Sequence, residues 1–184
     1  MLCYVFWHWP LAEVATEAYE TDLQGFQRSL LAVQSTGLIE SAAFRVEGAP
    51  WVAGERAYQD CYLLEGSAAL DVLNEAAVSP TCKQAHDRVA RGAAAGVGGL
   101  YHLQRGDPLL MAARVATWLV KPRQTIYDEF YESLAVWTSC PGVSLWRRQM
   151  TLGPTPEFCL LTAEKQELPS GLAPLTTRLE RIWP

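Results

Sequence analysis

The chain has 184 residues, 49 % of them hydrophobic and 19 % charged, with a net charge of −5. That is enough chain for one large soluble domain or two small ones, and too acidic for a nucleic-acid surface, which needs concentrated Lys and Arg. No apolar run approaches the roughly 20 residues of a membrane span, and Met1-Leu2-Cys3-Tyr4 lacks the basic region of a signal peptide.

Leu2 to Trp9 (LCYVFWHW) is apolar or aromatic at nearly every position, which predicts a strand covered on both faces. Pro10 ends it. From Leu11 to Gln34 the apolar positions Tyr19, Leu23, Phe26, Leu30 and Val33 step by three and four, the signature of an amphipathic helix ended at Thr36-Gly37. Ile39 to Val46 and Ala57 to Leu64 read as strands around a turn-rich connection, Gly48 to Glu55. Ser67 is the expected cap of a second helix from Ala68, broken at Ser79-Pro80 and restarted to about Arg91. The glycine-rich Gly92 to Gly99 leads into a fourth strand, Leu100 to Gln104. The order β-α-β-β-α-β is the ferredoxin-like unit.

Arg105-Gly106-Asp107-Pro108 reads as a linker, after which the order recurs in abbreviated form. Strands are expected at Val115 to Val120, Val143 to Leu152, Phe158 to Thr162 and Thr177 to Trp183, with a short helix from Ile126 to Trp137. The second helix has shrunk to the turn-rich Glu164 to Pro174. The halves also echo each other: shifted by 112, Cys3–Thr21 lies without a gap on Val115–Ser133, bringing Pro10 onto Pro122, Tyr19 onto Tyr131 and Phe6 onto Trp118. The Glu17/Glu20 and Glu129/Glu132 pairs around those tyrosines read as solvent-facing. A lone ferredoxin-like sheet leaves one face bare. The expected fold is therefore α+β, with two tandem ferredoxin-like repeats, 1–106 and 113–184, whose antiparallel sheets pack face to face into a pseudo-dimeric α/β barrel. A homodimer through a sheet edge or the helical surface is the expected assembly.

Five cysteines at 3, 61, 82, 140 and 159, without a Cys-x-x-Cys pair, read as reduced thiols and place the chain in the cytoplasm. Chemistry can come from few places. His8, on a central strand between Trp7 and Trp9, has His102 and Asp60 on the expected neighbouring strands, and this set suits a non-haem metal site with open positions, proton transfer, or hydrogen bonding within an aromatic core. Tyr58, Asp60 and Tyr62 share one strand face and could floor a pocket. Seven tryptophans, Trp7 among them, suit a site for a planar apolar molecule or simply fill a wide barrel.

Ser79-Pro80-Thr81-Cys82-Lys83-Gln84-Ala85-His86, after the helix Ala68 to Ala77, resembles a motif of the dimeric α/β-barrel superfamily, in particular of antibiotic-biosynthesis-monooxygenase-like domains. The resemblance covers about the first 105 residues. It implies a monooxygenase-like protein that acts on or binds a planar apolar small molecule in the N-terminal repeat. Alternatively, the chain is a non-catalytic small-molecule-binding or stress-related module that keeps only the barrel. The resemblance points to His86, with His8, His102 and Asp60 as further candidates and Tyr58, Tyr62 and Trp7 as ligand contacts. In a haem-degrading branch the helix histidine binds iron, which would make His86 the ligand. The asparagine and tryptophan that accompany it there are missing: the first strand has Phe6-Trp7-His8 and the helix is preceded by Leu64-Glu65-Gly66-Ser67. No cofactor or metal is expected.

Overall fold

A computed structural model describes residues 1–108 and 110–184. In chain order the elements are β1 (Leu2–Pro10), α1 (Thr16–Ala32), β2 (Leu38–Glu47), β3 (Ala57–Leu64), α2 (Ser67–Ala77), α3 (Lys83–Gly92), β4 (Ala93–Gly106), β5 (Val115–Leu119), α4 (Tyr127–Ser133), α5 (Ala135–Thr138), β6 (Ser144–Arg148), β7 (Phe158–Thr162) and β8 (Leu175–Trp183). A single 3-10 turn, Ser170–Leu172, stands where the first half has α2 and α3. The strands form one closed barrel in the order β1-β3-β2-β8-β5-β7-β6-β4. Each half contributes its strands in the order 4-1-3-2, and the halves join through β2–β8 and β4–β6. Closure is partial at both joints: β4 pairs with β6 only from Tyr101 and β2 with β8 only from Ala43, so Ala93–Leu100 and Leu38–Ala42 are each paired with a strand on one side only.

Alternation along the strands separates two environments. Cys3, Val5 and Trp7 of β1 point into the barrel with Cys61, Leu63, Tyr101, Trp118, Trp146 and Cys159. Tyr4, Phe6 and His8 point outward, beneath the helices. Inside, Trp7 and Trp118 meet edge to face with centroids 5.7 Å apart, and Trp51 from the β2–β3 connection caps both at 5.5 and 5.0 Å. Each such ring pair adds about 0.5–1.5 kcal/mol beyond area burial. Three of the indoles keep polar partners, with Trp7 donating to Gln59 Oε1 at 2.7 Å, Trp146 to Ser144 Oγ at 2.8 Å and Trp118 to Thr177 Oγ1 at 3.2 Å, whereas the Trp51 N–H has none among the described residues.

Trp7 and Trp118 therefore occupy equivalent inward positions, which corrects the echo. A shift of 112 brings outward Phe6 onto inward Trp118, whereas β1 and β5 match at 111. One residue of slip exchanges the two faces of a strand. The helical part of the echo holds in burial, since Tyr19 and Tyr131 are both buried.

Five other expectations need correction. Gly92 to Gly99 is no lead-in, because β4 runs from Ala93. Its glycines make room for rings: a Cβ on Gly96 would stand 2.3 Å from Phe6 Cζ, and one on Gly98 would stand 3.1 Å from the Tyr4 ring. Ser67 does not cap α2. Gly66 holds the cap position, and no side chain bonds there. The expected helix Ile126 to Trp137 breaks at Leu134 into α4 and α5, and the strand from Val143 stops at Arg148. Glu20 is not a solvated charge, since it accepts bonds from Arg45 Nε at 2.5 Å and from the Tyr58 hydroxyl at 2.9 Å.

Candidate functional site

Between the outer face of β1, β3 and β4 and the helices α1–α3 lies a cavity of about 410 Å³, a size typical of small-molecule sites. Tyr4, Phe6, Tyr19, Phe26 and Tyr62 supply aromatic surface, while Ala77, Ala90, Ala93, Ala95 and Gly96 keep the helix and β4 walls low. The break between α2 and α3 bends the helical wall around the opening and brings both Asn74 and His86 to it.

The floor is a buried polar chain. Phe6 pairs with Asp60, and His8 with Tyr58, across β1 and β3, so His8 and Asp60 are diagonal neighbours on one face. His8 Nε2 lies 3.5 Å from Asp60 Oδ2, and both residues are almost wholly buried. On the other side of the imidazole, the Tyr19 hydroxyl of α1 is 2.6 Å from Nδ1. Tyr62 donates to Asp60 Oδ2 at 3.2 Å and accepts in turn from Gln27 Nε2 at 3.0 Å. Phe6 and Tyr58 stack on the two sides of the His8 ring, at 5.5 and 5.6 Å. His8 Nε2 and Asp60 Oδ1 have no hydrogen-bond partner among the described residues.

Burial, reinforced by the negative charge of Asp60, pushes the phenols of Tyr4, Tyr19 and Tyr62 above their ordinary pKa. They are neutral near pH 7. With Tyr19 donating to Nδ1, an imidazole proton on Nε2 would face the carboxylate. Burial and the Glu20 carboxylate raise Tyr58 to about 12. This arrangement can accept a proton at Asp60 while His8 and Tyr62 hold the carboxylate in place.

The structure gathers four of the seven sequence candidates around the cavity: His8, Asp60, Tyr62 and His86. His86 is half-exposed, with Nδ1 3.4 Å from Asp87 Oδ1 and its ring edge-on to Phe26 at 5.7 Å. Tyr58 lies behind His8 and supports it without lining the cavity. Trp7 faces the barrel interior, on the opposite side of β1. His102 is exposed opposite Leu2, six residues along β4 from Gly96, the partner of His8. At about 3.3 Å per residue, roughly 20 Å separates them. Sequence reading missed Tyr19, placed only as a helix core residue, and Gln27. A fully buried glutamine on the apolar stripe of α1 was the available signal.

Haem fits this lining poorly. His86 is engaged by Asp87, and no lysine or arginine is among the lining residues to pair with two propionates. Asp60 would add a third negative charge to the same space. Among the described residues no His, Cys, Asp and Glu group is arranged to hold a metal ion.

The second repeat has no such floor. With Trp7 and Trp118 equivalent, the register places Leu119 where His8 stands and Leu160 where Asp60 stands. Both leucines are fully buried against Phe130, Tyr131 and Phe158, with the rings of Phe130 and Phe158 only 4.5 Å apart.

No family model matches the chain, and no curated protein does. Solved structures do. A "Putative monooxygenase" from Fusobacterium nucleatum superposes with a TM-score of 0.65 at 10 % identity, covering 98 % of this chain and 92 % of that one. A "putative monooxygenase" from Lactobacillus acidophilus gives 0.58 at 8 % identity, covering 98 % and 94 %. An "anthrone oxidase-like protein" gives 0.50 at 9 % identity, covering 98 % and 90 %. The chain shares the fold of these structures, here a barrel of two ferredoxin-like halves supplied by one chain.

Proposed function

We propose that the chain is a monooxygenase-like enzyme that binds a planar, mostly apolar small molecule between the sheet of residues 1–106 and α1–α3, and that residues 113–184 serve to close the barrel. One observation carries this reading: the floor of an aromatic-lined cavity holds a buried His8–Asp60 pair with Asp60 Oδ1 left without a partner. An unsatisfied buried carboxylate oxygen costs stability, so its persistence points to a use. The likeness in fold to proteins described as monooxygenases and as anthrone oxidase-like supports the reaction class.

In this reading Asp60 takes a proton from an acidic C–H of the bound molecule. The imidazole Nε2–H and the Tyr62 hydroxyl stabilise the carboxylate before the transfer. The resulting carbanion is conjugated with the aromatic rings and is oxidised by dioxygen. For a methylene group, CH2 and O2 become C=O and H2O, so the substrate supplies all four electrons and no other reductant is needed. The hydrophobic walls keep water from the anion.

Dithranol, an anthrone with such a methylene, serves as the probe. Oxygen uptake and quinone formation above the uncatalysed rate are expected for the wild type. Asp60→Asn should lower the rate by about 100-fold or more, the usual weight of a general base. Tight binding of the probe without oxygen uptake would favour the non-catalytic binding module, and neither binding nor turnover would overturn the site.

A further inference from the structure

The charges around the cavity bear on which molecules can enter it. Asp60 lines the floor and is 3 % exposed, and its buried Oδ1 has no partner among the described residues. The remaining polar lining consists of His8, His86, Asn74 and the hydroxyls of Tyr4, Tyr19 and Tyr62, and it contains neither lysine nor arginine. Three cations of the adjoining segments are engaged elsewhere. Arg88 bonds Asp22 at 3.2 Å, Lys83 bonds Asp87 at 2.7 Å, and Arg56 is spent on the carbonyls of Val14 and Leu11. Five aromatic rings surround the carboxylate's space, three of them, Tyr4, Phe6 and Tyr62, as a stacked row with centroids 6.0 and 6.5 Å apart.

We infer that the cavity selects planar aromatic molecules bearing a protonated amine or a protonated ring nitrogen, whose N–H donates to Asp60 Oδ1. Such a donor satisfies the one orphaned acceptor. Its positive charge is balanced by the carboxylate and favoured by the surrounding π-systems, whereas a carboxylate or phosphate ligand would bring a second negative charge into a site with no cation to receive it. The raised pKa of Tyr4 and Tyr62, to which Asp60 contributes, reflects the same negative potential. This inference rests on the proposed ligand site but not on oxygen chemistry, since a cation-selective cavity requires no turnover.

Three probes on one anthracene skeleton separate the terms: 9-(aminomethyl)anthracene, 9-anthracenemethanol and 9-anthracenecarboxylate. Titration by fluorescence should give the order amine, alcohol, acid, with about tenfold or more between amine and acid. Asp60→Asn should remove the advantage of the amine over the alcohol. The order in the wild-type protein decides the matter even if the variant folds poorly. Equal affinities for amine and alcohol, or tighter binding of the acid, would overturn charge selection and leave the planar-ligand reading intact. Absence of binding by all three would overturn both.

Discussion

The Tyr19 hydroxyl lies 2.6 Å from His8 Nδ1, the one hydrogen bond of the imidazole among the described residues. Tyr19→Phe leaves Nδ1 buried and unpaired, so the variant should lose about 1–3 kcal/mol of stability in a urea titration. It should also admit the other tautomer. In the 15N spectrum of the imidazole, the two nitrogen resonances should move toward each other. An unchanged spectrum would mean that Tyr19 merely packs.

Alkaline pH should unfold the protein through its buried phenols. Tyr19, Tyr62 and Tyr101 are raised above the ordinary tyrosine value, chiefly by burial, and Tyr58 is raised to about 12. A folded pKa above the unfolded one gives stability that is complete below the unfolded value of about 10 and is lost as pH rises toward the folded value. Stability should therefore fall from about pH 10 upward. Tyrosinate absorbance should rise in step with loss of the near-ultraviolet circular dichroism, rather than ahead of it.

Gly96→Val should damage both fold and cavity, because its Cβ would collide with Phe6. A loss of about 1–3 kcal/mol is expected from overpacking. Adding Phe6→Ala should recover part of it, a non-additivity expected of residues in contact. Denaturation midpoints of the two single variants and the double variant decide the point.

Much of the fold was legible because its signals are local. The continuous apolar run of β1 reported two covered faces, and Tyr19, Leu23, Phe26 and Leu30 marked the buried stripe of α1. The order of elements then led to paired repeats. The site was half legible: Asp60 and His8 could be nominated, but their diagonal contact depends on a register that no single strand encodes. Trp7 was misjudged for the same reason, being one residue from His8 and on the opposite face. Gly96 and Gly98 looked like a loop because glycine weakens strands; only the rings of Phe6 and Tyr4, ninety or more residues earlier, explain them.

Leu160→Asp should test whether the second repeat tolerates a floor like the first. Leu160 is fully buried among Leu119, Phe130 and Phe158, and the Tyr131 hydroxyl of that cluster is already bonded to Gln104 Oε1 at 2.9 Å. The variant should lose more than about 4 kcal/mol. A stable, well-folded variant would show that the apolar filling of this repeat is loose.

The joining of β2 to β8 also sets a timetable for biosynthesis. Arg45 on β2 meets Glu180 on β8, 135 residues later in the chain. When the first four strands have left the ribosome, β2 still awaits β8, and β5 likewise keeps one side bare until β8 arrives. Each waiting strand displays an unpaired row of backbone donors and acceptors, the surface through which nascent chains adhere to one another. Closing such distant pairs is slow. The nascent chain is therefore exposed to misassembly until synthesis has passed Trp183, and a stall anywhere between Thr162 and Leu175 would strand it with two open edges.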